Sequence, residues 1–356
     1  MQKKLFINLF IGALCICGVF TSFDRTTISY SERRKLVTFP FIVEDGKWNA
    51  DFFTELETYL NDHFMQKDMF RKAKSLTARD VLLMQDENGI YCQKETLFAM
   101  EDRVNEKSVK HFNSIVHKVQ KNVLEGYPIY LSLIPRKNEY VEKKDHPEYS
   151  FSALEKKIDM QGMQYIPIRD LLQLDSYYRT DIHWRQDKIE KVAKRLVEDM
   201  GYTFQPLEEM QRHSFDSFHG ALYARTAAGV APDELCYLDS PYFDTVKVYS
   251  LEKNKDIPVY DVEALHSIDA YNVFVDGPSA YLDIENPNVE SGSLILFRDS
   301  FGSSLLPLLI PSFHHIQVID LRYYSSKFLD RLSLDKEASV LFLYGSEILN
   351  NSLSLK

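Results

Sequence analysis

The sequence predicts a three-layer α/β domain with a mostly parallel sheet, preceded by an N-terminal membrane anchor and a helical segment. Three observations carry that expectation. Short apolar runs at residues 127–134, 294–297, 316–319 and 340–343 read as strands buried on both faces, which lose the polar alternation of half-exposed ones. Amphipathic helical stretches lie between several of them, and strand–helix rhythm favours right-handed β–α–β units. The third is the apolar amino terminus.

After Lys3 and Lys4, residues 5–23 are almost uncharged, interrupted by Asn8 and Thr21-Ser22, and reach the lower length limit of a spanning helix. A basic start and an apolar core also fit a signal peptide. No small-x-small cleavage site follows, and Leu14-Cys15 and Ile16-Cys17 are poor lipobox pairs, so an uncleaved anchor is the expectation. Lys3 and Lys4 on one flank are offset by Arg25, Arg33, Arg34 and Lys35 on the other, which weakens a charge-based orientation. Residues 24–85 read as a stalk and helical lead-in: Phe52, Phe53, Leu56, Tyr59, Leu60 and Phe64 recur at helical spacing, and the pattern resumes over 70–84. This stripe is expected to pack on the domain.

Residues 86–356 form the domain itself. A strand at 127–134 is followed by a short one at 166–168 and by an amphipathic helix over 187–200 carrying Ile189, Val192, Ala193, Leu196 and Val197. Residues 201–287, rich in aromatic side chains and turn signals such as Asp276-Gly277-Pro278, read as an insertion beside the site. Strands at 294–297, 316–319 and 340–343 complete the sheet.

With 356 residues, 45% apolar and 26% charged, the chain can bury a large core. A net charge of −10 without basic runs argues against nucleic-acid binding. Cys15 and Cys17 lie in the apolar segment; Cys92 and Cys236 are the remaining pair, bridged or free, without zinc spacing. His314-His315 is no metal pair, because neighbours on a strand point to opposite faces. Neither a metal nor a cofactor is expected.

Two motifs carry chemistry: Tyr178-Arg179-Thr180-Asp181-Ile182-His183-Trp184 and Phe297-Arg298-Asp299-Ser300-Phe301-Gly302. A serine hydroxyl is a poor nucleophile at neutral pH and needs a histidine to take its proton and a carboxylate to orient the ring. Ser300, His183 and Asp181 fit those three roles. Each motif alone has a simpler reading, a structural Asp–His hydrogen bond and a helix N-cap; their combination favours catalysis. A strand ends at Arg298, Ser300 stands at the junction, and Gly302, Ser303 and Ser304 open a helix whose first N–H groups can face a developing oxyanion. Tyr178, Trp184 and Arg298 are expected near substrate, Tyr223 and Arg225 form a second piece of the site, and Gly277 is a candidate oxyanion donor.

At these motifs the chain resembles the DHHW proteins and the AlgJ/AlgX-like branch of the SGNH hydrolase superfamily, which includes exopolysaccharide O-acetyltransferases. Thr180-Asp181-Ile182-His183-Trp184 is similar to the family's Thr-Asp-x-His-Trp, with Ile182 where the name-giving tetrad has its first histidine, and Arg298-Asp299-Ser300-Phe301 to its Arg-Asp-Ser-Phe. Ser31-Glu32-Arg33-Arg34-Lys35-Leu36, Tyr59-Leu60-Asn61-Asp62-His63-Phe64, Asn88-Gly89-Ile90-Tyr91, Ile134-Pro135-Arg136-Lys137 and Leu341-Phe342-Leu343-Tyr344-Gly345 extend the resemblance over most of the chain. It implies an SGNH-like (flavodoxin-like) fold in which Asp-x-His precedes the serine, and a single-pass membrane protein with an extracytoplasmic domain. It also implies ping-pong acetyl transfer from an acyl donor to an exopolysaccharide or cell-wall glycan, beside a membrane-bound O-acyltransferase. A carbohydrate acetylesterase and a non-catalytic accessory subunit are the alternatives.

Overall fold

The computed structural model describes residues 25–141 and 146–356, with 5–9, 11–12, 18 and 21. Most of the expected anchor therefore lies outside the described residues, among which no helix is long and apolar enough to cross a membrane.

The lead-in opens with two small hairpins, β1 (Ile28–Ser29) with β2 (Arg34–Lys35) and β3 (Val43–Glu44) with β4 (Lys47–Trp48). Helices α1 (Phe52–Asp62) and α2 (Lys67–Leu76) follow, the latter continued by a π turn at Thr77–Val81. Their apolar stripe is only partly packed, contrary to the expectation. Phe52 and Tyr59 are buried, but Phe53, Leu60, Phe64, Phe70 and all of Val81, Leu82, Leu83 and Met84 are exposed. Charge pairs make the inner contacts instead. Asp62 accepts from Arg34 Nη2 (2.5 Å), Arg34 Nη1 (2.9 Å) and the Val37 amide (3.0 Å), while Lys67 bridges Asp62 and Glu32. Arg71 donates to the Ala224 carbonyl at 2.7 Å and so ties α2 to the domain.

The domain begins with the hairpin β5 (Ile90–Gln93) and β6 (Thr96–Ala99), then α3 (Glu106–Asn122), β7 (Ile129–Ile134), α4 (Phe151–Glu155) and β8 (Gln164–Tyr165). The short strand thus pairs at Gln164–Tyr165, and Ile166 and Ile168 are buried in the loop after it. Helix α5 (Glu190–Asp199), the hairpin β9 (Gln211–Phe218) and β10 (Asp233–Asp239) with α6 (Ala221–Thr226) between its strands, and β11 (Lys247–Ser250), β12 (Lys255–Ile257) and β13 (Tyr281–Glu285) come next. The chain closes with β14 (Ser293–Arg298), α7 (Phe301–Leu309), β15 (His315–Ile319), β16 (Ser339–Gly345) and α8 (Ser346–Asn350).

Eight strands form one sheet in the order β12-β11-β13-β15-β14-β16-β7-β8. Strands β15, β14, β16, β7 and β8 run parallel, whereas β13, β11 and β12 add antiparallel neighbours at one edge. Part of the expected insertion therefore extends the sheet. Counted from β14, the parallel part reads 2-1-3-4-5 in space, the flavodoxin-like order. The chain enters this pattern at its fourth strand, which is why the serine motif at the end of β14 comes late in the sequence.

Alternate residues of the central strands feed two cores, as the pleat requires. Leu294, Leu296, Ile316, Val318, Leu341 and Leu343 pack on one face with Val192, Ala193, Leu196 and Val197 of α5 and with α7. Ile295, Phe297, Ile319, Val340 and Phe342 pack on the other with Phe112, Val116 and Val119 of α3. Three layers result. Cys92 and Cys236 are unpaired.

His315 on β15 places Nε2 2.5 Å from Asp283 on β13 and Nδ1 3.5 Å from Asp335. Its hydrogen bond to Asp283 raises its pKa above the ordinary value. A histidine raised in the folded state contributes stability that is present below the unfolded value of about 6.5 and is lost as pH rises through the folded one. Chemical denaturation at pH 6 and pH 9 should show a loss of at most about 1 kcal/mol in the wild type, since the pair is partly exposed. That loss should be absent in His315→Gln.

Candidate active site

Residues 178–184 form a loop after β8, and two buried charges pin it. Asp233 accepts from the amides of Arg179 (3.0 Å) and Thr180 (2.7 Å) and from Thr180 Oγ1 (2.6 Å). Lys137 Nζ donates to the carbonyls of Tyr178 (2.9 Å), Arg179 (3.1 Å) and Asp181 (2.7 Å). Burial pushes the Lys137 ammonium down to about 7, opposed by the charges of Asp181 and Asp233.

Asp181 is fully buried. Its Oδ1 accepts from the His183 amide at 2.9 Å and lies 2.5 Å from His183 Nδ1. Its Oδ2 accepts from the Ala221 amide at 2.6 Å and from Arg33 Nη1 at 3.1 Å. Burial by itself raises the pKa of this carboxyl, but the charge and hydrogen bonds of His183, with Arg33 behind, hold it below the usual carboxylate range. The approach of the Ala221 amide depends on Gly220, where a Cβ would sit 2.2 Å from the Asp181 Cβ.

The other half of the site stands at the carboxyl end of β14. Ser300 Oγ lies 2.8 Å from His183 Nε2. Ser300 is partly exposed, whereas Asp181 and His183 are buried. Asp299 accepts from the Phe301 amide (2.9 Å) and the Gly345 amide (2.6 Å), which fastens the ends of β14 and β16 together at the point where the strand order reverses. The helix-start N–H groups expected to face an oxyanion are largely used: Phe301 donates to Asp299 Oδ1, Gly302 to the Asp299 carbonyl and Ser303 to the Ser300 carbonyl. The Ser300 amide has no partner among the described residues.

Trp184 joins the two halves. It is fully buried, and its Nε1 donates to the Phe301 carbonyl (2.9 Å) and to Ser304 Oγ (3.0 Å), so it holds the loop against α7 and leaves no face for a ligand. Tyr271 stacks on the His183 ring at 4.1 Å and donates to Ser304 Oγ at 2.8 Å. Ile182 packs on the small apolar cluster of Ile90, Leu97 and Leu222.

The remaining expected residues are placed differently from the expectation. Tyr178 is buried edge-on against Phe218. Arg298 is buried and donates to Ser303 Oγ (2.7 Å) and the Gly277 carbonyl (3.1 Å), a clamp beneath the serine turn. The Gly277 amide is committed to the Phe274 carbonyl at 2.9 Å, so it offers no oxyanion donor. Arg225 is exposed and donates to the Asn88 carbonyl (2.6 Å). Tyr223 stacks on His219 and lines a groove with Tyr30, Phe215 and His266. Sequence reasoning missed Arg33, Lys137, Gly220, Asp233 and Tyr271 as supports of the site, although Arg33 and Lys137 lie in segments that carry the family resemblance and the other three in the expected insertion.

The structure is similar to that of a DHHW family protein from Eubacterium siraeum DSM 15702, at 19% identity and a TM-score of 0.59 over 76% of this chain and 95% of that one. It is also similar to PatB1 of Bacillus cereus, solved with a sulfonyl adduct, at 19% identity and a TM-score of 0.56 over 73% of this chain and 97% of that one. At such identities the likeness establishes the fold. No curated protein matches the sequence. A family model described as DHHW protein matches residues 142–319, half of the 356-residue chain and the stretch that carries Asp181, His183 and Ser300, and the chain therefore belongs to the DHHW protein family.

Proposed function

We propose that this chain is an O-acetyltransferase-like enzyme acting on an exopolysaccharide or cell-wall glycan, with Ser300 as nucleophile, His183 as base and then acid, and Asp181 as orienter. One observation carries the reading: a continuous hydrogen-bonded path runs from the buried Asp181 through His183, 2.5 Å away, to the partly exposed Ser300 hydroxyl 2.8 Å beyond. In the first half-reaction Ser300 Oγ attacks the acyl carbonyl while its proton passes to His183 Nε2. The donor's leaving group departs with that proton, and acyl-Ser300 remains. In the second, His183 takes the proton of a glycan hydroxyl whose oxygen attacks the ester, and it returns a proton to Ser300 Oγ as the acyl–Oγ bond breaks. Asp181 fixes the tautomer and stabilises the imidazolium in both steps. The Ser300 amide is one donor for the developing oxyanion.

The apolar residues 5–23 supply a tether in this reading, the domain works outside the cytoplasm, and a membrane-bound O-acyltransferase delivers the acyl group. The same triad with water as acceptor would be an acetylesterase. Incubating the protein with 4-nitrophenyl acetate and candidate glycans separates the two: acetyl on the glycan supports transfer, and free acetate alone supports hydrolysis. Acetyl found on no residue of the protein would leave the accessory-subunit reading.

PatB1 carries a sulfonyl adduct in its solved structure, and sulfonyl fluorides report on activated hydroxyls, so the same probe suits this chain. Mass spectrometry should place phenylmethylsulfonyl fluoride on Ser300: the Oγ–S bond forms, fluoride leaves and the proton goes to His183. Ser300→Ala should take no label and retain its melting temperature. Asp181→Asn, which favours the wrong ring tautomer, should react as much as ~10⁴-fold more slowly on the serine-protease precedent while remaining folded. Unchanged labelling of that variant would mean that the Asp–His pair is structural.

Gly220→Ala presses a methyl group onto Asp181. Displacing the acid by even an ångström should slow labelling on the order of 10²-fold. Circular dichroism on the same sample checks that the fold persists.

A further inference from the structure

The lead-in places one side chain inside the site. We infer that Arg33 is a positioning residue for the triad: it holds Asp181 Oδ2 so that Oδ1 faces His183, and the hairpin entering from the amino terminus thereby completes the site. This rests on the triad reading above.

Arg33 sits in the turn between β1 and β2 at φ +53°, a left-handed conformation uncommon for a residue with a side chain. The guanidinium is mostly buried. One nitrogen, Nη1, donates to Asp181 Oδ2 at 3.1 Å, and the other, Nη2, pairs with Asp269. Asp269 is the N-cap of the short helical turn carrying Tyr271, the ring stacked on His183. A single planar fork therefore ties the acid to the segment that backs the base, a geometry that lysine cannot reproduce. Docking alone does not require this contact, because Asp62 of α1 holds Arg34 of the hairpin, and Lys67 and Arg71 of α2 hold Glu32 in its turn.

The charge of Arg33 acts on the chemistry as well as on the shape. The groups facing the Asp181–His183 pair are Arg33, Lys137 at the Asp181 carbonyl, Tyr271 on the ring and Ser300 at Nε2, with Asp269 across Arg33, Asp233 at Thr180, and Asp299 and Arg298 beneath the serine turn. Among them Arg33 is the cation whose guanidinium contacts the Asp181 carboxylate. It helps hold the Asp181 carboxyl below the usual carboxylate range, so its removal leaves that buried charge short of a donor and Oδ1 less firmly aimed at His183.

The test is the rate at which phenylmethylsulfonyl fluoride inactivates the full-length chain, with thermal unfolding of each sample. Arg33→Met should lower the rate about tenfold, the scale of a small misplacement. Arg33→Gln should show the same loss and is read instead if the methionine variant does not unfold cooperatively. Arg33→Lys, which keeps the charge without the fork, should recover only part of the rate. Changed melting temperatures with unchanged rates in folded Met and Gln variants would reduce Arg33 to a docking contact and overturn the inference. A wild type that takes no label at Ser300 would overturn the triad reading, and this inference with it; a labelled wild type with unmoved variants overturns the inference alone.

Discussion

A carboxylate with no access to water sets the terms for the rest of this molecule. Removing an ionised carboxyl from solvent costs several kcal/mol even after relaxation, and the charge persists only where donors replace water. Asp181 finds them in four places: the His183 amide and ring, the Ala221 amide and the Arg33 guanidinium. Those donors come from the lead-in, the Asp-x-His loop and the start of α6. Each must arrive for the charge to be tolerated, which makes the site a point where distant parts of the chain are forced into register. Gly220 belongs to the same constraint, since any side chain there would occupy the space of Asp181 itself.

The other half of the site is held by a different logic. Ser300 stands where the strand order reverses between β14 and β16, and in open α/β sheets that crevice is where ligands bind. Asp299 spans the crevice floor by accepting from Phe301 on one side and Gly345 on the other. Its pKa is raised by burial, opposed by Arg322 and by those two amides. Arg298 braces the turn from below, and Trp184 bonds the loop of His183 to the helix that follows Ser300. The family's residues around Asp181, His183 and Ser300 are therefore mostly fasteners. The tryptophan and arginine of the two motifs are fully buried.

How much of this was legible follows from the range of each interaction. The central strands could be read because burial on both faces leaves an unbroken apolar run, and the meeting of Asp181, His183 and Ser300 because they sit in two short motifs. The edge strands β11 to β13 are short and mixed in polarity, so their recruitment to the sheet left little local trace. The lead-in was misread for a related reason. Helical spacing identifies an apolar face but not what covers it, and Asp62, Arg34 and Lys67 took the contacts assigned to Phe53 and Phe70. Arg33 was invisible as a site residue because it lies 148 positions from its partner, in a segment whose charges and family resemblance gave no sign of what it would touch.

The two halves of the lead-in consequently differ in kind. Its hairpin tip makes a buried contact in a low-dielectric site, where screening by salt is weak. Its attachment to α1 and α2 is ionic and partly open to water: Arg34 is 41% exposed at its side chain while its partner Asp62 is 5% exposed. An interaction of that kind is weaker than a packed core and yields first when the chain fluctuates. The order of the Asp181–His183–Ser300 cluster is thus coupled to the ionically attached lead-in, and the energy that keeps Asp181 aligned is drawn partly from contacts outside the α/β domain. A fragment beginning at β5 would retain every residue of the sheet and both motifs, yet it would leave Asp181 Oδ2 with the Ala221 amide alone and a buried charge short of a donor.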